Sequence, residues 1–277
     1  MLKSLFTGST TGPAWFSPAL LGPTTLLREA TKASVVREML GVLEQLEPDD
    51  YTRYLVDFCG EGLRRYPDSW YYADISTVLL AASRLVGPST YVEIGVRRGR
   101  SMAMVAAASP DVRLLGFDLW MPDYAGMPNP GPEFVQAELK RAGHRGGLEL
   151  FSGDSHVTVP RFFADNPSLL VDLITVDGDH SHDGALADLR TVIPRLAVGG
   201  VLVFDDIVHP LHPYLLDVFR HAVAEDGGLV MGEYTELGYG VAVAIRVGPA
   251  RTDKHVKREA AARLRGARRT LSRFLLG

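Results

Sequence analysis

The sequence predicts an α/β protein built on a doubly wound, seven-stranded, mainly parallel sheet with an antiparallel last strand. From residue 90 onward, short apolar runs alternate with segments of helical periodicity, which is the pattern of a parallel sheet with crossover helices. The last two apolar runs are joined by residues 233–240, a connection short enough for a hairpin. The seventh strand is therefore expected to run antiparallel.

Each predicted strand is a run of apolar and β-branched residues, and helical segments follow the first five. The strands are predicted at residues 91–94, 114–117, 148–151, 171–176, 201–204, 229–231 and 241–245. The helices are predicted at residues 101–108, 133–142, 157–166, 184–196 and 213–224.

The chain divides into three parts by composition. Residues 1–87 open with an irregular arm rich in Gly, Pro, Ser and Thr, and from residue 24 they show the periodicity of three or four helices. Residues 88–248 hold the sheet, and residues 249–277 form a predicted basic amphipathic helix. We expect the first part to be an arm and helical cap that serves substrate binding or oligomer contacts.

Composition favours a soluble cytoplasmic protein. Of 277 residues, 46% are hydrophobic and 22% charged, and no run of about eighteen apolar residues predicts a membrane span. The N-terminus lacks the apolar stretch of a signal peptide. Cys59 is the single cysteine, which excludes a disulfide framework within one chain and predicts a small buried apolar residue.

Charge is distributed unevenly. Residues 251–277 hold nine Lys or Arg against two acids, although the whole chain has a net charge of −4. The preceding residues are therefore strongly acidic, and the basic helix is expected to dock on them or on a partner subunit rather than on a membrane or a nucleic acid. The chain has no alternating aromatic and basic run of the kind that binds RNA.

Two acidic motifs end the fourth and fifth predicted strands. Asp177-Gly178-Asp179-His180-Ser181 follows the fourth strand, and Asp205-Asp206 follows the fifth. If these strands are parallel neighbours, their carboxyl ends bring several carboxylates and an imidazole to one rim, which can bind a divalent ion and deprotonate an alcohol. Taken singly, each motif could instead be a helix cap or a solvated turn.

Three further positions suit a nucleoside ligand. Glycines at 95 and 99 allow a tight turn after the first strand, although this turn could serve packing alone. Asp118 closes the second strand, where an acid commonly accepts hydrogen bonds from ribose hydroxyls. Asp154 and Ser155 follow the third strand, and there the alternatives are contact with adenine or a helix cap.

Together these motifs resemble the class I S-adenosylmethionine-dependent methyltransferases, which have a Rossmann-like fold. Within that class they resemble the metal-dependent O-methyltransferases of macrolide sugars, rhamnosyl groups and other glycosides, over roughly residues 88–246. The resemblance implies S-adenosylmethionine and Mg²⁺ or another divalent cation as cofactors. The residues that it implies for cofactor binding are Glu93, Gly95, Gly99, Ser101, Asp118, Asp154, Ser155 and Asp177.

The resemblance also implies a metal site and a general base. Asp177, Asp205 and Asp206 match the magnesium ligands of these relatives. His180 matches the histidine proposed as general base in some of them, and Asp179 matches the acid used in others. We favour His180, because an imidazole accepts a proton at neutral pH and a carboxylate beside a cation has a lowered pKa.

The expected reaction is methylation of a sugar hydroxyl in a saccharide, a glycoside or a glycosylated natural product. In relatives the N-terminal part builds the acceptor pocket and the oligomer contact, so the resemblance implies a homo-oligomer. The high Ala, Arg, Gly and Val content favours a bacterial source, in polysaccharide or natural-product biosynthesis. Two alternatives are a catechol-type or other small-molecule O-methyltransferase and a nucleoside-binding protein associated with RNA.

Overall fold

The computed structural model of the chain describes residues 21–123 and 126–248. The basic helix predicted at residues 249–277 and almost all of the predicted irregular arm lie outside these described residues. Within residues 21–123 four helices precede the sheet, in line with the three or four that the periodicity predicted. They are α1 (Pro23–Ala30), α2 (Ala33–Leu43), α3 (Asp50–Arg65) and α4 (Ile75–Val86).

Strands and helices then alternate as far as the fifth strand and the helix after it. The strands are β1 (Thr90–Ile94), β2 (Arg113–Asp118), β3 (Leu148–Ser152), β4 (Val171–Val176), β5 (Leu196–Asp205), β6 (Leu229–Tyr234) and β7 (Val241–Arg246). The helices are α5 (Arg100–Ala108), α6 (Pro132–Arg141), α7 (Ser155–Asp165), α8 (His182–Val192) and α9 (Leu215–Asp226). None of the helices in the described ranges is long and apolar enough to cross a membrane.

The seven strands form one sheet in the order β3-β2-β1-β4-β5-β7-β6. The pairs among β1 to β5 are parallel, and β7 runs antiparallel to both β5 and β6. The predicted mainly parallel sheet with an antiparallel last strand is confirmed. The direction of winding reverses between β1 and β4, and open α/β sheets bind ligands at such a point, beyond the carboxyl ends of the strands.

Helices cover both faces of the sheet. Apolar residues of α1 to α6 pack on one face, and those of α7, α8 and α9 pack on the other. Side chains alternate along β5, so that Val203 faces the first layer and Phe204 the second. Cys59 is buried in the first layer, as its sequence context predicted.

The predicted boundary between the helix after β4 and strand β5 was wrong. The helix predicted to reach residue 196 ends as an α-helix at Val192, and a single 3₁₀ turn of Ile193–Arg195 follows. Pro194 lies in that turn and has no backbone N–H with which to continue the helix. As a result β5 begins at Leu196, five residues before its predicted start, and it shows a register irregularity against β4 between Val171 and Leu173.

Candidate active site

The turn between β1 and α5 requires glycine at two positions. Gly95 has φ +90°, and a Cβ there would lie 1.9 Å from the carbonyl oxygen of Asp177. Gly99 has φ +73° and is the N-cap of α5. Positive φ and close backbone contact are the conditions under which only glycine fits without strain. The first glycine thus lets the ends of β1 and β4 approach each other directly.

Asp118 is fixed at the end of β2 by two backbone donors. Its Oδ2 accepts a hydrogen bond from the N–H of Arg97 at 2.7 Å, and its Oδ1 accepts one from the N–H of Trp120 at 2.5 Å. Both donor residues have positive φ, 51° and 52°, a strained backbone for side chains of this size. Each carboxylate oxygen keeps a further lone pair, so Asp118 can still accept a hydroxyl hydrogen bond.

Glu93 and Ser101 contact each other at the base of the turn. Glu93 is fully buried, and its carboxyl group accepts hydrogen bonds from the Ser101 hydroxyl and, at 2.9 Å, from the Tyr91 hydroxyl. Burial raises the pKa of Glu93 to about 8, against the lowering effect of these two hydrogen bonds. The pair ties the start of α5 to β1, and contact of either residue with a cofactor stays a prediction.

The residues after β3 form a helix cap. Asp154 is the N-cap of α7, and its Oδ1 accepts the N–H of His156 at 2.9 Å. Ser155 is the first residue of that helix. The helix-cap alternative therefore describes the local structure, while a role of these two residues toward adenine stays a prediction.

Asp177, His180 and Asp206 converge at the ends of β4 and β5. Each offers one ligand atom, and these atoms lie within 4.8 Å of one another. His180 Nε2 is 3.2 Å from Asp177 Oδ1, and its Nδ1 is 3.9 Å from Asp206 Oδ2. Asp206 has φ +59°, so the chain bends sharply where β5 ends. Two motifs that lie far apart in the sequence thus meet beside the glycine turn.

The electrostatics of this cluster are those of crowded acids. Burial raises the pKa of Asp206 to about 7; the Asp177 carboxylate raises it further and His180 opposes the rise. Burial alone would lower the pKa of His180. The hydrogen bond and negative charge of Asp177, together with the charge of Asp206, outweigh burial and raise this pKa.

Asp205 lies beside the cluster but faces another way. It is the last residue of β5 and pairs with Val241 of β7, whose side chain lies in the layer of α1 to α6. Alternation along the strand directs Asp205 to that same layer. Burial and the neighbouring Asp206, Asp177 and Asp74 raise its pKa well above the ordinary value. Its predicted role as a metal ligand stays a prediction.

Asp179 is turned toward the start of α8. It is exposed, its Oδ1 accepts the N–H of Ser181 at 2.8 Å, and a Cβ at Gly184 would lie 1.9 Å from its Oδ2. The carboxylate is thus engaged with the backbone of the turn and lies outside the three-residue cluster. This placement favours His180 over Asp179 as the base.

Sequence reasoning did not single out Asp74 or Tyr214. Asp74 caps α4 and accepts the Tyr72 hydroxyl at 3.0 Å. The neighbouring Tyr71 carbonyl accepts the Tyr234 hydroxyl at 2.8 Å, which holds this segment over the end of the sheet. The only available signal was the capping pattern, an acid three residues before Thr77.

Tyr214 supports the cluster from the loop before α9. Its hydroxyl donates to the carbonyl oxygen of His180 at 2.9 Å, and the rings of His180 and His212 lie 5.3 Å apart. These residues hold the 177–181 turn against the segment after β5. No pattern in the sequence distinguishes Tyr214 from other tyrosines.

The residues present fit a divalent cation. Two carboxylates within mutual reach are donors that Mg²⁺ or Mn²⁺ takes in proteins, and the His180 imidazole lies beside them. Burial and repulsion from Asp177 raise the pKa of Asp206, and a bound cation would offset both effects. The glycine turn and the clamped Asp118 likewise suit a nucleoside bound across β1 and β2.

Comparison with known proteins agrees with the fold. Residues 92–207 match a family described as a methyltransferase domain, a range that begins in β1 and ends just after Asp206. Comparison with curated protein sequences finds no match.

Solved methyltransferases share the fold. A Klebsiella pneumoniae protein named as an O-methyltransferase is 17% identical with a TM-score of 0.51, and the match covers 76% of this chain and 89% of that one. TomG from Streptomyces achromogenes, an O-methyltransferase of tomaymycin synthesis solved with S-adenosylmethionine, is 21% identical (TM-score 0.51; 73% and 92% covered). Cofactor-bound Rv0187 from MTB is 18% identical (TM-score 0.50; 78% and 90% covered).

At these identities the structural likeness establishes the fold alone. Residues 92–207 are a methyltransferase domain. The family match and the fold agree with the methyltransferase class that the resemblance implied.

Proposed function

We propose that this protein is a divalent-cation-dependent O-methyltransferase that transfers the methyl group of S-adenosylmethionine to a sugar hydroxyl. The acceptor is a saccharide, a glycoside or a glycosylated natural product. The observation that carries the proposal is the convergence of Asp177, His180 and Asp206 within 4.8 Å at the ends of two neighbouring strands. These strands adjoin the glycine turn, so the cluster faces the predicted cofactor position.

The cofactor is expected to lie across the ends of β1 and β2. Gly95 and Gly99 leave space for the methionine part, and Asp118 accepts the ribose hydroxyls with its free lone pairs. The N-terminus of α5 follows the turn and favours polar groups of the ligand. Together these features would hold the cofactor beside the acid cluster.

Asp177 and Asp206 would hold the cation, with Asp205 as the third predicted ligand. Bound there, a divalent cation lowers the pKa of a coordinated hydroxyl and orients it. Carboxylates are suited to this task, since their full charge offsets that of the ion. The cluster lies in a half-buried position, where such charge interactions are stronger than in water.

His180 would act as the general base. Its ring lies between Asp177 and Asp206, which hold it beside the reacting position. As the acceptor oxygen forms its new bond to the methyl carbon, the hydroxyl proton passes to the imidazole. The bond from that carbon to sulfur breaks, and the electron pair stays on sulfur to give neutral S-adenosylhomocysteine. In-line alignment of oxygen, carbon and sulfur supplies much of the remaining rate.

The need for both a base and a cation favours an alcohol over a phenol as acceptor. A phenol ionises far more readily than a sugar hydroxyl, so it gains less from a base placed beside the cation. The turn Val176-Asp177-Gly178-Asp179-His180-Ser181 also resembles the sugar branch of the class. Methylation of a catechol is the competing outcome.

The test is a transfer assay with methyl-labelled S-adenosylmethionine. The purified protein is offered a panel of mono- and oligosaccharides and a matched panel of catechols, each with and without EDTA. Label in a saccharide, lost in EDTA and restored by Mg²⁺ or Mn²⁺, is the expected result. Label in catechols alone would contradict the sugar acceptor, and full turnover in EDTA would contradict the cation.

A further inference from the structure

A buried carboxylate lies behind the candidate site and has no part in the reaction proposed above. Asp188, on α8, is 1% exposed. An acid this deeply buried is retained only where hydrogen bonds or opposite charges compensate its desolvation. Its surroundings therefore indicate what it holds in place.

Two loops of the site supply those partners. His156 lies at the start of α7, and its Nε2 is 3.6 Å from Asp188 Oδ1. Burial raises the pKa of Asp188 to about 6; the Ser155 side chain, His156 and the Asp179 backbone oppose that rise, and the Asp179 carboxylate adds to it. Ser155 and His156 follow β3, whereas Asp179 follows β4. Asp188 thus contacts the predicted adenine side and the acid turn at once.

The backbone after β4 lies close over this carboxylate. A Cβ at Gly178 would be 3.5 Å from Asp188 Oδ2 and 2.8 Å from the Ile94 side chain. Only a residue without a side chain lets the turn approach so closely. Among the residues that the structure describes, Oδ2 has no hydrogen-bond partner although it is buried.

His156 extends the contact to the cap of α7. Its backbone N–H donates to Asp154 Oδ1 at 2.9 Å, and its Nδ1 lies 3.2 Å from the same oxygen. Its Nε2 lies 3.2 Å from the Gly184 carbonyl oxygen. Acceptors face both ring nitrogens, so the doubly protonated ring suits this position. His156 therefore joins the cap to α8.

We propose that Asp188 and His156 form a brace that positions the two loops of the candidate site, the loop after β3 and the turn of residues 177–181. The brace touches no reacting atom. It sets the distance between the predicted adenine contacts, Asp154 and Ser155, and the turn that carries Asp177 and His180. The inference rests on the proposed function for the roles of those loops.

Binding of S-adenosylhomocysteine, measured by isothermal titration calorimetry, tests the brace without any acceptor. Asp188→Asn and His156→Gln are each expected to raise the dissociation constant about tenfold, the usual scale for a residue that orients direct ligands. Because the two residues act as one unit, the double variant should bind only as weakly as the weaker single variant. Additive losses would contradict the brace.

Asp226→Asn is the matched control. Asp226 is also a buried acid, paired with Arg246 at 3.0 Å at the end of β7, away from the carboxyl ends of the parallel strands. This variant should lower the melting temperature as much as Asp188→Asn and leave the affinity unchanged. Hydrogen exchange supplies a second readout, since Asp188→Asn should accelerate exchange in both residues 153–156 and residues 177–181, and Asp226→Asn in neither.

Two results would overturn the proposal in different ways. If wild type binds S-adenosylhomocysteine and Asp188→Asn binds it equally well, the brace is wrong and the proposed function stands. If wild type does not bind S-adenosylhomocysteine, the proposed function fails, and the brace fails with it because there is no cofactor site to position.

Discussion

The Nε2 atom of His180 lies 3.2 Å from Oδ1 of Asp177, three residues earlier on the same turn. This contact raises the pKa of the imidazole although burial would lower it. The arrangement places the proposed base beside the carboxylates that suit a cation. Asp177 and His180 share one short turn and Asp206 follows the next strand, so the proposed base and cation site are assembled together only when β4 and β5 pair.

Replacement of the base is the first prediction. His180→Ala should reduce kcat by about a hundredfold or more, the scale of losing a general base. Steady-state kinetics with the acceptor found in the transfer assay measures this loss, and binding of S-adenosylhomocysteine should be retained. Asp179→Ala is the control, because that carboxylate is engaged with the start of α8. A near-normal rate in His180→Ala with a slow Asp179→Ala would move the role to Asp179.

Loss of Asp206 should weaken cation binding more than loss of the adjacent Asp205. Asp206→Ala is expected to weaken Mn²⁺ binding at least about tenfold, because removal of a direct ligand costs no less than removal of a residue that orients one. Asp205→Ala should cost less, since Asp205 faces the helical layer of α4. Titration of Mn²⁺ by electron paramagnetic resonance measures both. If the two variants weaken Mn²⁺ binding equally, Asp205 is as important a cation ligand as Asp206.

Much of the fold could be predicted because apolar runs and their spacing determine strands directly. The position of β7 between β5 and β6 could not. The short hairpin specifies that β6 and β7 pair, but which of them adjoins β5 depends on packing. The early start of β5 could not be predicted either, because Gly199 and Gly200 interrupt the apolar pattern of this strand.

The convergence of Asp177 and Asp206 could be predicted because parallel neighbours end at one edge. The direction of each side chain depends on details that no motif records, such as the positive φ of Asp206. Contacts from outside the motifs, such as the hydroxyl of Tyr214 on the His180 carbonyl, depend on tertiary packing alone. The sequence therefore predicted that Asp177, His180 and Asp206 lie close together. It did not predict the contacts that hold them in place.

The buried Glu93 should make stability depend on pH. Its folded pKa is raised to about 8 from an ordinary value of 4.5, so the folded state binds more protons than the unfolded state between these values. The free energy of unfolding therefore falls as pH rises through this window. Glu93→Gln should reduce that slope by up to about 1.4 kcal/mol per pH unit, the effect of one proton.

Urea unfolding of wild type and Glu93→Gln at several pH values between about 5 and 8 measures the two slopes. Glu149→Gln is the control, because Glu149 is an exposed acid paired with Arg113 at the surface. It should leave the slope of wild type unchanged. Parallel curves for wild type and Glu93→Gln would contradict the raised pKa.

The close contact at Gly95 should make it the least tolerant position of the turn. Gly95→Ala places a Cβ 1.9 Å from the Asp177 carbonyl oxygen and forces alanine into φ +90°. Overpacking and backbone strain together should lower the free energy of unfolding by roughly 2 to 4 kcal/mol, as urea unfolding would measure. The ends of β1 and β4 must also separate, so binding of S-adenosylhomocysteine should be lost even below the melting temperature.

Gly87→Ala separates backbone strain from the close contact. Gly87 has φ +58°, but a Cβ added there would meet no atom within 4 Å. This variant should therefore show the strain alone, about 1 kcal/mol, with normal binding of S-adenosylhomocysteine. Equal effects of the two variants on binding would mean that the approach of β1 to β4 does not shape the cofactor site.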